Sequence, residues 1–368
     1  MIYLDYAANT PVDEQVLEVF VNSTKKYYAN PNSSHELGKL ANEKITEASK
    51  KIADYFKAEK QSVIYTSGSS ESNNLVIKGV AESRKNIGKK IIISAVEHSS
   101  IVAPCNYLAS HDYDVNVIPL TKEGIIDLEE LEKVIDDETI LVSICTVDSE
   151  LGTIQPIKKI ADIVKKYPNA IFHTDASQAI GKVNIDYSGV DFITFAPHKF
   201  FGLNGFGVLL NINNIKITPL IHGGNSTTIY RSGTPVIANV LALEKAFELA
   251  TNNLDERFNY ISKLNQMLRN ELKNIDCVHI NSPENSIPNT LNISLIDRDT
   301  PKILSELEKN KIYLSTTTAC ALGNSPSKSV LAITGSEELA SNTLRISISH
   351  LTKEKDIKDF IQIFKSLL

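Results

Sequence analysis

From residue 62 to residue 210 the chain alternates short apolar runs with stretches of helical period. Apolar runs at 62–66, 90–94, 114–119, 139–147, 170–175, 192–195 and 206–210 predict strands. Between them, apolar positions three and four apart predict helices over 71–83, 99–110, 127–135 and 156–167. Asp127 with Glu130 has the pattern of a capping box, and Pro156 suits a first helical position. Upstream, 1–12 reads as extended and 13–28 as helix, and Ser33 or Ser34 is placed to cap a long helix ending near 56. Repeated strand–helix alternation implies a mostly parallel sheet with helices on both faces. After Pro235 the pattern changes. Residues 236–272 read as almost continuous helix, followed by strands at 290–295 and 344–348 among helices at 301–309 and 353–367. The expectation is an α/β fold: a large domain over 13–245, and a smaller α+β domain from 1–12 and 246–368, joined by the long helix.

Composition narrows this picture. At 368 residues the chain exceeds one ordinary core. A hydrophobic content of 42% and a charged content of 22% describe an ordinary globular protein, and a net charge of −6 gives no support for a nucleic-acid surface. The N-terminus has an acid at Asp5 and no basic region ahead of an apolar core, so no secretory signal is expected. No apolar run approaches the ~18 residues of a membrane span. The four cysteines, Cys105, Cys145, Cys277 and Cys320, have neither metal-ligand spacing nor the density of a disulfide framework, and a reducing cytoplasm fits them. Cys105, Cys145 and Cys277 read as buried. Cys320 sits among Thr, Ser, Ala, Gly and Pro residues and reads as part of an exposed, mobile loop.

Candidate chemistry gathers at strand ends, where open α/β sheets bind ligands. His198 and Lys199 follow the apolar run 192–195. A lysine at the rim of a buried sheet is open to a lowered pKa, which makes its amine a nucleophile and a base. Ser67-Gly68-Ser69-Ser70 joins a strand to a helix, a pattern that cradles phosphate or merely caps the helix. Glu97-His98 follows another strand. Asp175 ends a third, ahead of Gln178, and a desolvated aspartate there wants a cationic partner. A lysine, a strand-end aspartate and a phosphate cradle together suit pyridoxal phosphate.

With these residues in place, the chain resembles the cysteine desulfurases of the NifS/IscS kind, in the class V aminotransferase group of fold-type I pyridoxal phosphate enzymes. The resemblance runs through YLDYAANTPVD, NPNSSHELG, YTSGSSESNN, VEHSSI, ELGTIQPI, FHTDASQAIGK, HKFFG, RSGT, TACALGNSPSKSVL and LRISIS. It implies a Schiff base on Lys199, with Asp175 on the pyridinium nitrogen and Gln178 on the phenolic oxygen. His98 would stack on the ring and assist proton transfer. Ser69, Ser70 and His198 would hold the phosphate, with Thr234 reaching the site of the other subunit of a homodimer. Arg345 would clamp the substrate carboxylate, and Cys320 would take the sulfur of L-cysteine as a persulfide. That sulfur would pass to an acceptor protein, such as an iron–sulfur scaffold or a tRNA-thiolating enzyme. No metal is implied.

The chain also departs from the family pattern. Asp148 and Ser149 stand for two asparagines, the second of which normally contacts the phenolic oxygen and the substrate carboxylate. Ser149 keeps that cofactor-side position with a shorter reach. Ala196 and Pro197 stand for Ser-Gly, Gly224-Asn225-Ser226-Thr227 for Gly-Gln-Glu-Arg, and Thr316-Thr317-Thr318 for serines with a glycine. Three readings follow. The first is a cysteine desulfurase. The second is a selenocysteine lyase, another β-eliminating lyase or an aminotransferase of the same fold. The third is a weakly active homologue serving as a scaffold for an acceptor protein.

Overall fold

A computed structural model describes residues 1–59, 62–224, 226–317 and 325–368. The chain opens with β1 (Ile2–Tyr3), α1 (Glu14–Lys26) and α2 (Glu36–Tyr55). Then come β2 (Val63–Thr66), α3 (Ser69–Arg84), β3 (Lys90–Ser94), α4 (Ser99–Ala109) and β4 (Asp114–Ile118). Next are α5 (Leu128–Val134), β5 (Thr139–Ser143), α6 (Ile157–Val164), β6 (Ile171–Asp175), β7 (Phe192–Phe195) and β8 (Gly207–Asn211). Strands β2 to β8 form a seven-stranded sheet in the order β2-β8-β7-β6-β5-β3-β4. The ladders from β7 to β4 are parallel, while β8 runs antiparallel to both neighbours. The connection 196–206 is too short for a crossover, so β7 must return as a hairpin. Apolar groups from both faces of the sheet pack into two clusters, one around Phe172, Phe195 and Phe247 and the other around Ile64, Ile91 and Phe192.

The rest of the chain supplies α7 (Ile237–Asn252), α8 (Leu254–Leu272), β9 (Val278–Ile280), β10 (Thr290–Leu295), α9 (Thr300–Lys309) and β11 (Ile312–Tyr313). It closes with α10 (Lys328–Thr334), α11 (Glu337–Ser341), β12 (Thr343–Ser347) and α12 (Glu354–Leu367). Strands β12-β10-β9 form an antiparallel sheet, and β1 pairs in parallel with β11. Leu4 joins Leu264, Leu291, Ile346 and Phe360 in a third apolar cluster.

Several elements differ from the periodic reading. Helix α2 is capped by His35, whose Nδ1 accepts from the Gly38 amide at 3.2 Å, and not by Ser33 or Ser34. Those serines lie in the preceding turn, where a Cβ on Gly38 would sit 2.4 Å from the Ser33 carbonyl oxygen. Asp127 caps α5 by accepting from the Glu130 amide, but the Glu130 side chain pairs with Lys133, so only half the expected box forms. Pro156 is the cap of α6, one position before its first turn. The predicted continuous helix breaks at Asn253, whose side chain donates to the Leu249 carbonyl. Apolar period continues across that break because α7 packs on the large sheet and α8 on the small one. The β5 ladder stops at Ser143, and the extended chain beyond it carries Cys145 and Val147 to the wall of a cleft.

The site-side end of the sheet depends on one close approach. Gly207, at the start of β8, lies against the backbone of Gly68, and a Cβ there would come within 2.4 Å of the Gly68 carbonyl carbon. Gly207→Ala is expected to displace the β2–α3 turn and lower stability by about 1–3 kcal/mol in urea unfolding. An unchanged unfolding midpoint would contradict this packing account.

Candidate active site

Lys199 ends a single 3-10 turn, Pro197–Lys199, immediately after β7. Proline fits its first position because its fixed φ suits a turn start and no amide donor is needed there. A Cβ on Gly202 would lie 2.4 Å from Pro197 Cβ, so the departure at Pro197 is matched by a glycine opposite it. The turn is clamped from the N-terminus. The Thr10 amide and hydroxyl both donate to the His198 carbonyl, at 3.0 and 2.9 Å, and the Phe201 amide donates to Thr10 Oγ1 at 2.7 Å. Phe201 takes a left-handed φ of 68°, a conformation that non-glycine residues hold only when their surroundings impose it. Lys199 Nζ donates to the carbonyls of Ala7 and Ala8 at 3.0 and 2.7 Å.

Lys199 opens onto a cleft also lined by Ser69, His98, Ser149, Asp175, Gln178 and Arg345, with Cys145 and Ser177 in its wall. These residues come from the ends of different strands and the turns that follow them, which is why widely spaced sequence positions meet. Asp175, at the end of β6, is 9% exposed. Its Oδ1 accepts from the Ser177 amide at 2.9 Å and its Oδ2 from Asn73 Nδ2 at 2.8 Å. Asn73 also donates to Ser100 Oγ, which contacts His98 Nδ1 at 2.8 Å. The aspartate and the imidazole are thereby tied through α3 and α4. The Ser100 amide donates to His98 Nδ1 at 3.1 Å, so that nitrogen is an acceptor. Burial lowers the His98 pKa; Asp175 opposes that and the nearby Lys199 charge adds to it.

Arg345, in β12, is 1% exposed. It donates to the Ser149 carbonyl, in the turn beyond β5, at 3.1 Å and to Asp5 Oδ1 at 3.0 Å. Ser315 Oγ donates to the other Asp5 oxygen at 2.7 Å. Asp148 is buried and caps its own turn, accepting from the Glu150 and Leu151 amides and from Ser329 Oγ in α10. The two departures at 148 and 149 therefore act as a turn cap bonded to α10 and as a main-chain acceptor for Arg345.

Some predicted residues lie apart from this group. Ser70 is exposed in the first turn of α3, its carbonyl accepting from Asn74. His198 is half-buried beside the lysine and does not line the cleft; burial and the charges of Lys199 and Lys182 push its pKa down to about 4. Thr234 is exposed and outside the cleft, in a segment fastened to α3 by the Arg231–Glu71 pair at 2.9 Å. Cys277 is half-buried rather than buried, because it sits in the turn leading to the short strand β9. Cys105 and Cys145 are buried. Cys320 lies outside the described residues. The sequence reading missed Asn73, Ser177, Lys182 and the pairing role of Asp5. Asn73 carried a signal, as a polar residue four positions before Ile77, on the buried face of α3. Among the described residues, no group of acidic, His or Cys side chains has the makings of a metal site, and no helix is long and apolar enough to cross a membrane.

The class V aminotransferase model matches residues 2–360. A protein described as cysteine desulfurase IscS from Dictyoglomus turgidum is 36% identical over 372 residues, covering 100% of this chain and 94% of that one. A solved NifS-like protein superposes with a TM-score of 0.93 at 33% identity, covering 100% of this chain and 99% of the other. SspA, solved in complex with cysteine, has a TM-score of 0.83 at 31% identity, covering 95% of this chain and 99% of its own. The chain belongs to the class V aminotransferase family, whose enzymes use pyridoxal phosphate on a fold-type I scaffold. Within that family it falls among the cysteine desulfurases of the NifS/IscS kind.

A buried carboxyl behind the cleft gives this site a pH signature. Glu97 Oε1 accepts from Ser94 Oγ and the Cys145 amide, while Oε2 has no partner among the described residues. Burial pushes its pKa from 4.5 up to about 8. Between those values the folded state holds a proton that the unfolded state has lost, so stability falls as pH rises through that window. Glu97→Gln is expected to remove this slope. Urea midpoints of variant and wild type should diverge with rising pH in favour of the variant. A constant difference across the window would contradict the assignment.

Proposed function

We propose that this cysteine desulfurase holds pyridoxal phosphate on Lys199, removes sulfur from L-cysteine to leave alanine, and carries the sulfur as a persulfide on Cys320. The observation that carries this reading is the single cleft joining Lys199, Asp175, Gln178, His98 and Arg345. The donor set fits the cofactor: an amine for the carbonyl carbon, a fixed carboxylate for a ring N–H, an amide for the phenolic oxygen, and the helix start at Ser69 for phosphate. Ser177 Oγ, buried without a partner among the described residues, is a further group such a ligand would satisfy. When bound, pyridoxal phosphate supplies an electron sink that makes the Cα proton of an attached amino acid acidic.

The chain's own groups do the rest. Arg345 takes the substrate carboxylate, its guanidinium already oriented by Asp5 and the Ser149 carbonyl. Asp175 keeps a proton on the ring nitrogen. Lys199 moves a proton at Cα once it leaves the Ala7 and Ala8 carbonyls. His98, whose Nδ1 accepts from the Ser100 amide, carries its proton on Nε2 and so offers a donor for the ring face and proton transfer. The Cys320 thiolate attacks the substrate sulfur. An S–S bond forms as the Cβ–S bond breaks, the carbon gains a proton to become the methyl of alanine, and the sulfur pair is oxidised. The persulfide then passes to an acceptor protein.

Thr234, exposed and away from its own cleft, is assigned to the site of a second copy of the chain in a homodimer. A fully active monomer would contradict that assignment. The intact cleft speaks against a purely scaffolding role.

Lys199 and Cys320 act at different steps, so their loss should differ. Lys199→Ala should stop turnover and covalent cofactor attachment together. Cys320→Ser should keep the cofactor and the binding of L-cysteine while alanine formation falls at least about 100-fold, since a hydroxyl is a far poorer nucleophile toward sulfur. Treated with L-cysteine, the wild-type Cys320 peptide should gain the mass of one sulfur, removable by reductant. Equal alanine production by Cys320→Ser and wild type would move the protein to a lyase or aminotransferase reading.

A further inference from the structure

Behind the cleft, a second cavity is lined by Lys182, Lys199, Arg257 and His350, with Tyr6 and Thr290, and no carboxylate lines it among the described residues. Lys182 is 9% exposed and takes no part in the chemistry above. Its Nζ donates to Gln178 Oε1 at 2.5 Å. Gln178 Nε2 in turn donates to the Ala7 carbonyl at 2.9 Å, the same carbonyl that accepts from Lys199. Gly181 makes this geometry possible. It takes a φ of 72°, and a Cβ there would lie 2.7 Å from Ala250 Cβ, so glycine alone turns Lys182 back toward Gln178.

These contacts decide which way the Gln178 amide points. An ammonium offers only donors and a main-chain carbonyl only acceptors. Flipping the amide would set its oxygen against the Ala7 carbonyl, a contact that turns repulsive whatever the charge on Lys182, and would cost the Lys182 Nζ its acceptor. Lys182 and Ala7 therefore fix the oxygen at the rear and leave one amide N–H for the cleft that Gln178 lines. A phenolic oxygen carrying negative charge needs that N–H rather than a carbonyl.

We propose that Lys182 is a positioning residue that acts through Gln178 to set the proton affinity of the link between Lys199 and the cofactor. The inference rests on the pyridoxal phosphate reading of the cleft. Losing Lys182 frees Gln178 to turn, leaves the phenolic oxygen less stabilised as an anion, and so raises the proton affinity of the adjacent lysine–cofactor link. Where Lys182 is charged, loss of that cation acts in the same direction. The titratable and charged groups facing Lys182 are Lys199 and His198 from the 3-10 turn and Arg345 from β12. Arg257 from α8, Tyr6 and His350 face it across the rear cavity. Burial, with the charges of Lys199 and Arg345, lowers Lys182 to about 7, in keeping with its lack of a carboxylate partner among the described residues.

The test is a spectral titration of the cofactor-loaded protein across the neutral and alkaline range, following the visible band of the lysine-linked cofactor. Lys182→Met should raise the midpoint by about one pH unit, a roughly tenfold gain in proton affinity. Lys182→Gln, which keeps an N–H donor without the charge, should raise it by less, and it carries the comparison if Lys182→Met does not fold. In a Gln178→Leu background, either substitution should add well under half of its own shift, because the residue through which it acts is gone. A loaded variant with an unmoved midpoint, or an equal shift in both backgrounds, overturns the proposal alone. A wild-type protein that shows no lysine-linked band overturns the cofactor reading with it.

Discussion

Two main-chain carbonyls, those of Ala7 and Ala8, hold the Lys199 amine, and the site is arranged around that contact. Neutral acceptors suit a lysine that, on the function proposed above, leaves them. The carbonyls are in turn held in place by the N-terminal segment. Strand β1 pairs with β11, Asp5 bridges to Ser347, and the Ala7 amide donates to Ser347 Oγ at 2.9 Å. Thr10 fastens the far end of the segment to the lysine turn. One short stretch of chain thereby joins the small sheet to the large one and brings Asp5 to Arg345.

The floor of the cleft is polar and buried, an expensive combination unless its groups are bonded. The bonding is extensive. His173 lies between Ser143 and Thr194, joining β5, β6 and β7, and burial pushes its pKa down to about 4, so it stays neutral. Asp175, Asn73, Ser100 and His98 form one connected chain of hydrogen bonds. The atoms left over are informative for the same reason. Ser177 Oγ and Glu97 Oε2 sit at or behind the cleft, where bound ligand or a retained proton completes them.

Much of the large sheet was legible because its strands are short, apolar and separated by helices of clear period. Strands β3, β7 and β10 match their predicted bounds. The misreadings share a cause: local pattern does not report which partner a segment packs on. The break at Asn253 is invisible because α7 and α8 are each amphipathic toward a different core. The His35 cap was hidden behind two better capping residues that the preceding turn occupies. The resemblance named Lys199, Asp175, Gln178, His98 and Arg345, which the structure brings to one cleft. It did not lead to Lys182 or Asp5, because their roles are contacts with those residues, and such contacts exist only once strands distant in sequence are assembled.

Attachment of the cofactor at Lys199 is the property that the proposed site requires above all others. Purified protein supplied with pyridoxal phosphate, reduced with borohydride and digested, should carry the reduced cofactor mass on the peptide containing Lys199 and on no other lysine peptide. Lys182, the buried amine nearest in role, is the informative control, since it lines the rear cavity and not the cleft. Label on Lys182 or on a surface lysine, or no label after reconstitution, would contradict the central claim that the strand ends around Lys199 form the cofactor site.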